Sequence, residues 1–312
     1  MARRGSSPVT IYPLQWLEIM FDLLLSPLSY PFMVRGLLAA ILVGIVCATV
    51  GTYIVLRGMA FLGDALAHAI LPGVAVGYLV SGGSQVAVFW FALVTAVLAA
   101  VGIGFISKGT ELKEDTAIGI VFAGMFALGI ALISTVRGYA VDLAHFLFGD
   151  VLGVSNQDLW LIFIFGAIVI ITMILFYKEF LVLSFDPVLA ATLRISAQLL
   201  NYLLFVLLAI TIVVSLQTVG VALMLAMLVT PPATAYLLTR RLSTMMALAA
   251  AIGAFSGVAG LYLSFYISMA SGAAIVLVST VIFALAALFA PERGWVWRQF
   301  APAAADDVLS AE

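Results

Sequence analysis

Nine long runs of apolar residues constrain the fold of this chain more than any other feature of its sequence. Each run is long enough to cross about 30 Å of hydrocarbon as a helix. None shows the alternation of barrel strands, and a helix satisfies its own backbone polar groups in lipid. The sequence therefore predicts an all-α fold, a polytopic transmembrane helical bundle of eight or nine spans, with one or two runs broken or re-entrant. The runs lie at about residues 34–56, 59–80, 86–107, 116–136, 158–177, 197–216, 218–238, 244–266 and 272–290.

The composition supports this fold class and excludes others. Hydrophobic residues make up 65% of the chain and charged residues 9%, with a mean hydropathy of +1.26, which excludes a water-soluble domain of this size. The net charge is −2 and no basic patch is present, which argues against a nucleic-acid partner. The lone cysteine, Cys47, lies within an apolar run, so it can form neither an internal disulfide nor a thiolate metal cluster.

The distribution of lysine and arginine predicts the orientation of the bundle. If the loops near Arg57, Lys108 and Arg240 face the cytoplasm, nine of the 13 basic residues lie inside and four lie outside. The reverse orientation would contradict the positive-inside bias. We therefore expect the N-terminus to lie outside if all nine runs span the membrane.

Residues 1–33 are predicted to form an N-terminal interfacial segment, followed by a transmembrane domain at 34–291 and a cytoplasmic tail at 292–312. Within it, residues 11–32 carry Glu18, Asp22 and three prolines (Pro13, Pro27 and Pro31), which suits a helix at the membrane surface better than a tenth span. A tenth span remains the alternative. No compact apolar stretch with a small-residue cleavage site follows the start, so we expect no cleaved signal peptide.

One ionisable pair lies inside the apolar runs. Asp64 is the only charged residue in the interior of any run, and His68 follows it by one helical turn. A carboxylate at mid-bilayer costs about 2.5–3.5 kcal/mol on insertion scales, so it needs a partner, a cavity or a function. On a helix the two side chains share one face, where both can bind a divalent cation. The alternative to metal binding is a structural role, in which each side chain is hydrogen-bonded within a tight helix crossing.

Two segments between the apolar runs are too polar for lipid and carry candidate functional residues. Asp142 and His145 lie on one helical face of a segment outside the membrane, where a solvated surface pair is favoured over a ligand pair. Asp186 and Pro187 have the pattern of a helix N-cap followed by proline in the first turn. They predict a short amphipathic helix on the cytoplasmic side, which is suited to docking a partner.

Several catalytic and nucleotide-binding patterns are missing from the sequence. It contains no phosphate-binding loop of the Gly-x-x-x-x-Gly-Lys-Ser/Thr type, no His-Glu-x-x-His zinc helix and only two histidines. No Ser-His-Asp set is evident either. We therefore expect that the chain is not an enzyme and that energy for any pumping comes from another protein.

Residues 55–73, which contain Arg57, Asp64, His68 and Pro72-Gly73, resemble the signature of the membrane permease subunits of bacterial manganese, zinc and iron ABC importers, the ABC-3 family. Five further stretches match in order, and the resemblance covers roughly residues 28–291. These stretches are residues 115–120, 142–149, 176–179 with 184–187, 219–231 and 271–278.

The resemblance implies a type II ABC importer permease, a multi-pass protein of a bacterial cell membrane. It implies a homodimeric or otherwise paired permease in the lipid bilayer, with a homodimer favoured over pairing with a paralogue, a cytoplasmic ABC ATPase beneath each copy and an extracytoplasmic metal-binding protein. By the same resemblance, Asp64 and His68 line the metal path, and no cofactor is bound covalently. The coupling helix that contacts the ATPase would contain Asp186, Pro187, Leu189, Ala190 and Arg194. Arg194 stands where the family commonly has glycine, so the local turn is expected to differ.

Ligand chemistry narrows the transported ion. A carboxylate and an imidazole without a thiolate suit Mn²⁺, Fe²⁺ or Zn²⁺ and argue against Cu(I). Overall similarity favours the manganese and iron branch, and zinc remains an alternative. A secondary transporter or channel could use the same Asp/His pair with proton exchange at His68, and its uptake would collapse with the proton gradient. An intramembrane enzyme is less favoured, because the spans supply only one acidic residue and one histidine.

Overall fold

The computed structural model describes residues 23–110, 112–135, 151–185, 196–291 and 294–296. Within them the chain is helical and contains no strand, as predicted. The helices are α1 (Pro31–Leu56), α2 (Ala60–Ala69), α3 (Leu71–Ser81), α4 (Gln85–Gly109), α5 (Glu114–Ser134), α6 (Asn156–Leu175), α7 (Tyr177–Phe185), α8 (Ala197–Val219), α9 (Val221–Leu238), α10 (Leu242–Ile267) and α11 (Ser271–Phe289).

The described residues contain nine helical segments that are long and apolar enough to cross a membrane. The nine predicted runs are therefore confirmed as helices. The second of them is interrupted, since α2 and α3 together form one span, Ala60–Ser81, that is broken at Ile70. Helix α7 is too short to be a span and directly follows α6.

Helix α1 lies at the centre of the bundle. It packs against α6, α8, α9 and α10, and 72% of its most apolar 18-residue stretch is buried. The broken span α2–α3 is buried to the same extent, whereas only 17% of the corresponding stretch of α5 is buried. Most of the surface of α5 therefore faces away from this single chain.

Glycines allow α1 and α10 to cross with their backbones in contact. A Cβ atom added at Gly44 of α1 would lie 2.7 Å from the carbonyl carbon of Gly253 in α10. A Cβ at Gly253 would in turn lie 2.7 Å from the carbonyl oxygen of Gly44. The two backbones are thus in direct contact, which agrees with the small-residue packing of membrane helices.

Consecutive spans run in opposite directions, so the two ends of the bundle hold different residues. One end holds the C-terminus of α1 and the N-termini of α5 and α8, and we call it the Arg57 end. The basic residues Lys108, Lys113, Arg240 and Arg241 lie at helix termini of this same end. At the opposite end, the hydroxyl of Tyr262 in α10 donates a hydrogen bond of 2.8 Å to the carbonyl of Leu24.

Candidate functional site

Asp64 and His68 lie together on α2, as the sequence predicts. The Nδ1 atom of His68 is 3.5 Å from Oδ1 of Asp64, and the exposed fractions of the two side chains are 24% and 38%, respectively. No hydroxyl group satisfies the Asp64 carboxylate within the described part of the chain. The pair is therefore polar, adjacent and open on one side.

The hydrogen bonding of His68 identifies which ring nitrogen is free. Nδ1 lies 3.0 Å from the backbone carbonyl oxygen of Asp64, and a carbonyl oxygen only accepts hydrogen bonds. A neutral imidazole that makes this hydrogen bond carries its proton on Nδ1 and keeps its lone pair on Nε2. A metal-binding histidine commonly donates its other N–H to a carbonyl in this way. The helix thus offers Nε2 of His68 and the carboxylate of Asp64 as ligand groups.

Aromatic rings of α5 hold the imidazole from the side. The His68 ring meets Phe122 and Phe126 edge-to-face, with centroid distances of 5.9 and 5.6 Å. The two phenylalanines stack on each other at 5.7 Å, and Phe61 meets the edge of this stack at 5.9 Å. Edge-to-face contacts of this kind restrict the ring, so α5 sets the orientation of the imidazole.

The helix that bears the pair ends just after His68 for a local reason. Pro72 has no backbone N–H, so it cannot donate to the carbonyl of His68 one turn earlier. The chain turns at Ile70, whose N–H bonds to the His68 carbonyl, and α3 then begins at Leu71. The break in the span therefore lies beside the ionisable pair.

A second polar cluster lies at the other end of α2. The Nη1 atom of Arg57 donates a hydrogen bond of 2.7 Å to Oδ1 of Asn201 in α8. The Nη2 atom of Arg57 is 3.6 Å from Oε1 of Glu114 at the start of α5. Burial lowers the pKa of the Arg57 guanidinium, while the Glu114 carboxylate acts in the opposite direction. The cluster connects three helices at the Arg57 end.

Sequence reasoning found part of this arrangement and missed the rest. It found the Asp64/His68 pair from its spacing, and it used Arg57 to orient the bundle and as part of the family signature without assigning it a contact. It did not find Phe122, Phe126 or Asn201, because apolar and neutral residues in an apolar sequence give no separate signal. No group of three or more metal-binding side chains occurs among the described residues.

Several predicted residues lie outside the described residues. They include the whole predicted coupling segment and the polar pair between α5 and α6. These residues are Asp142, His145, Asp186, Pro187, Leu189, Ala190 and Arg194.

The model of the ABC 3 transport family matches residues 29–290 of the chain. The chain belongs to this family. It is 48% identical over 282 residues to the manganese transport system membrane protein MntC of Halalkalibacterium halodurans, which covers 90% of this chain and 94% of that protein. It is 38% identical over 275 residues to the chelated iron transport system membrane protein YfeC of Yersinia pestis, covering 88% and 92%.

A solved structure supports the same assignment. The fold matches a chain of PsaBC from Streptococcus pneumoniae, determined in complex with Fab, with a TM-score of 0.77 and 37% sequence identity. The match covers 90% of this chain and 99% of that one. The predictions of an ABC transport permease and of a multi-pass protein of a bacterial cell membrane are therefore confirmed.

Proposed function

We propose that this ABC 3 family chain is the membrane subunit of an ATP-driven importer of Mn²⁺ or Fe²⁺, and that Asp64 and His68 form the transit site of the ion. The observation that carries the proposal is the half-open carboxylate and imidazole pair within a transmembrane segment. An intramembrane ionisable pair is costly, so it is expected where an ion must pass.

The ligand set supports manganese or iron as cargo. Carboxylate and imidazole bind both ions, and thiolate, which would favour copper or a closed zinc site, is absent from the pair. Relatives named for manganese and for chelated iron transport point the same way. Two protein ligands leave most positions around the ion to other groups, which suits a site that must release its ion inward.

A second copy of the permease is the natural source of further ligands. The pair is partly exposed at the surface of the single chain, beside α5, which buries little of its own surface. Two copies that face each other across this surface would bring two carboxylates and two imidazoles to one path. The depth is compatible, because Asp64 and His68 lie four and eight residues beyond Ala60, the first residue of α2, or about 6 and 12 Å into the span at 1.5 Å per residue.

The other partners follow from the class of transporter. A separate ATPase supplies the energy from the cytoplasm, and an extracytoplasmic binding protein delivers the metal. The segment that contains Asp186, Pro187, Leu189, Ala190 and Arg194 would contact the ATPase. Membership in an ABC family favours ATP over a proton gradient as the energy source.

Uptake in proteoliposomes tests the proposal. The permease is reconstituted with its ATPase and a metal-loaded binding protein, and entry of ⁵⁴Mn²⁺ is followed with ATP or with an imposed proton gradient. We expect ATP-dependent uptake that is lost in Asp64→Asn and in His68→Gln. Uptake driven by the proton gradient without ATP would contradict the proposal. Competition by Zn²⁺ and Fe²⁺ in the same assay ranks the ions, and strong preference for Zn²⁺ would overturn the choice of manganese or iron.

A further inference from the structure

The helix that carries the ionisable pair is a short rod with a joint at each end. Helix α2 has ten residues, Ala60–Ala69. At one end Gly58 adopts a left-handed conformation with φ of 68°, which reverses the chain between α1 and α2. At the other end the span breaks at Ile70, ahead of Pro72. Such a rod can tilt as a unit without unwinding either of its neighbours.

Arg57 lies at the first of these joints and fastens it. Its side chain is only 14% exposed, and its two terminal nitrogens bind acceptors on two different helices. Nη1 binds Asn201 in the second turn of α8, and Nη2 pairs with Glu114 in the first turn of α5. A lysine ammonium is a single point charge, so it cannot reproduce this two-armed contact.

The two acceptors connect α2 to different parts of the transporter. Helix α5 carries Phe122 and Phe126, which hold the imidazole of His68. Helix α8 begins directly after the segment that ends at Arg194 and that we assign to the ATPase contact. Through these contacts Arg57 connects the N-terminal end of α8 both to α2, which bears Asp64 and His68, and to α5, which bears the two phenylalanines.

We propose that Arg57 is a positioning residue that locks α2 to α5 and α8 at the Arg57 end, and that displacement of Asn201 with the base of α8 releases the lock and lets α2 tilt. Release moves Asp64 and His68 relative to the phenylalanines of α5, so the ion leaves its site only when the ATPase has moved α8. The inference rests on the proposed transport function and adds the element that couples it to ATP.

The coupling ratio, defined as ATP hydrolysed per Mn²⁺ imported, tests the inference in the reconstituted transporter. Loss of the lock uncouples α2 from α8, so Arg57→Gln should hydrolyse ATP without delivering a matching number of ions. We expect the ratio to rise at least about fivefold, the lower end of typical coupling between sites. Asn201→Ala should raise it similarly, and Arg57→Lys should give an intermediate value because only one arm is retained.

Matched controls separate the lock from a general loss of structure. Arg241→Gln removes an exposed arginine at the same end of the bundle, and Gln198→Ala removes an exposed amide from the same turn region of α8. Both should keep the wild-type ratio. The double variant Arg57→Gln/Asn201→Ala should be no worse than Arg57→Gln alone, because the two residues act as one contact.

The outcomes distinguish this inference from the proposed function. If the wild-type protein imports no metal with ATP, the proposed function fails. If the wild type imports metal and Arg57→Gln, purified with its ATPase in normal yield, keeps the wild-type ratio, only the lock is refuted. Additive effects in the double variant would also refute it. If Arg57→Gln does not assemble, Arg57→Lys and Asn201→Ala decide by the same ratio.

Discussion

Replacing Asp64 with Asn removes a negative charge while keeping the shape of the side chain, and it should abolish metal uptake without harming the fold. The Asp64 side chain is 38% exposed, and its nearest ionisable partner, His68, is 3.5 Å away. A pair with this much exposed surface gains little from its mutual contact, so its loss should change the stability of the folded protein by less than about 1 kcal/mol. Insertion should improve, because a carboxylate costs about 2.5–3.5 kcal/mol at mid-span on insertion scales and part of this cost applies to Asp64, four residues into the span.

The effect on uptake should be far larger than the effect on stability. Removing even an outer partner of a metal ligand typically costs about 10–100-fold in metal affinity or activity. Asp64 supplies one of only two ligand groups on the helix, so its loss should cost at least the upper end of that range. We therefore expect ⁵⁴Mn²⁺ uptake to fall at least a hundredfold, which corresponds to about 2.7 kcal/mol of binding free energy for the ion.

The assay compares uptake per molecule of permease, with membrane content measured by quantitative immunoblot and folding by detergent size-exclusion chromatography. Asp115→Asn is the matched control, since this exposed carboxylate lies at the start of α5, away from the pair. It should transport normally. Uptake within threefold of wild type in well-expressed Asp64→Asn would refute the reasoning that the carboxylate is a ligand.

Three further predictions follow from particular contacts. Phe126→Leu removes one edge-to-face contact with His68, worth about 0.5–1.5 kcal/mol, and should raise the Mn²⁺ concentration for half-maximal uptake about two- to tenfold; an unchanged value would mean that the ring does not orient the imidazole. Gly44→Val should lower the unfolding temperature in detergent, because overpacking of this kind costs about 1–3 kcal/mol, whereas Gly102→Val, with open space around it, should not. Leu189→Arg should reduce co-purification of the ATPase, and full retention would place the contact elsewhere.

The sequence predicts the spans well because hydrophobic length is a local property. All nine runs are helices of the expected extent, and one of them, the second, is broken, where Pro72 lacks the N–H that would continue the helix. The pairing of Asp64 with His68 was also predictable, since one helical turn separates them. Both features depend on residues that are close in the chain.

Other features depend on which helix faces meet, and an apolar sequence does not encode that visibly. In a soluble helix the polar face marks the outside, but nearly every face here is apolar, so Phe122 and Phe126 of α5 look like any lipid-facing residues. The contact between Arg57 and Asn201 joins residues 144 positions apart. In the sequence, Glu114 and Asn201 resemble the polar residues that commonly occur near helix starts. Only the packing of the bundle shows that both contact Arg57.

The direct backbone contact between Gly44 and Gly253 determines how the molecule can divide its work. At this crossing no side chain separates α1 from α10, so no rotamer change there can absorb a shift, and the two helices are expected to move together as a rigid unit. Helix α2 has a chain break or turn at each end, and within the described residues polar contacts hold it at the Arg57 end. In a transport cycle the ten residues of α2 would therefore tilt relative to α1 and α10. The free energy of the movement would be spent on breaking a few polar contacts, and the packed centre of the bundle would stay unchanged.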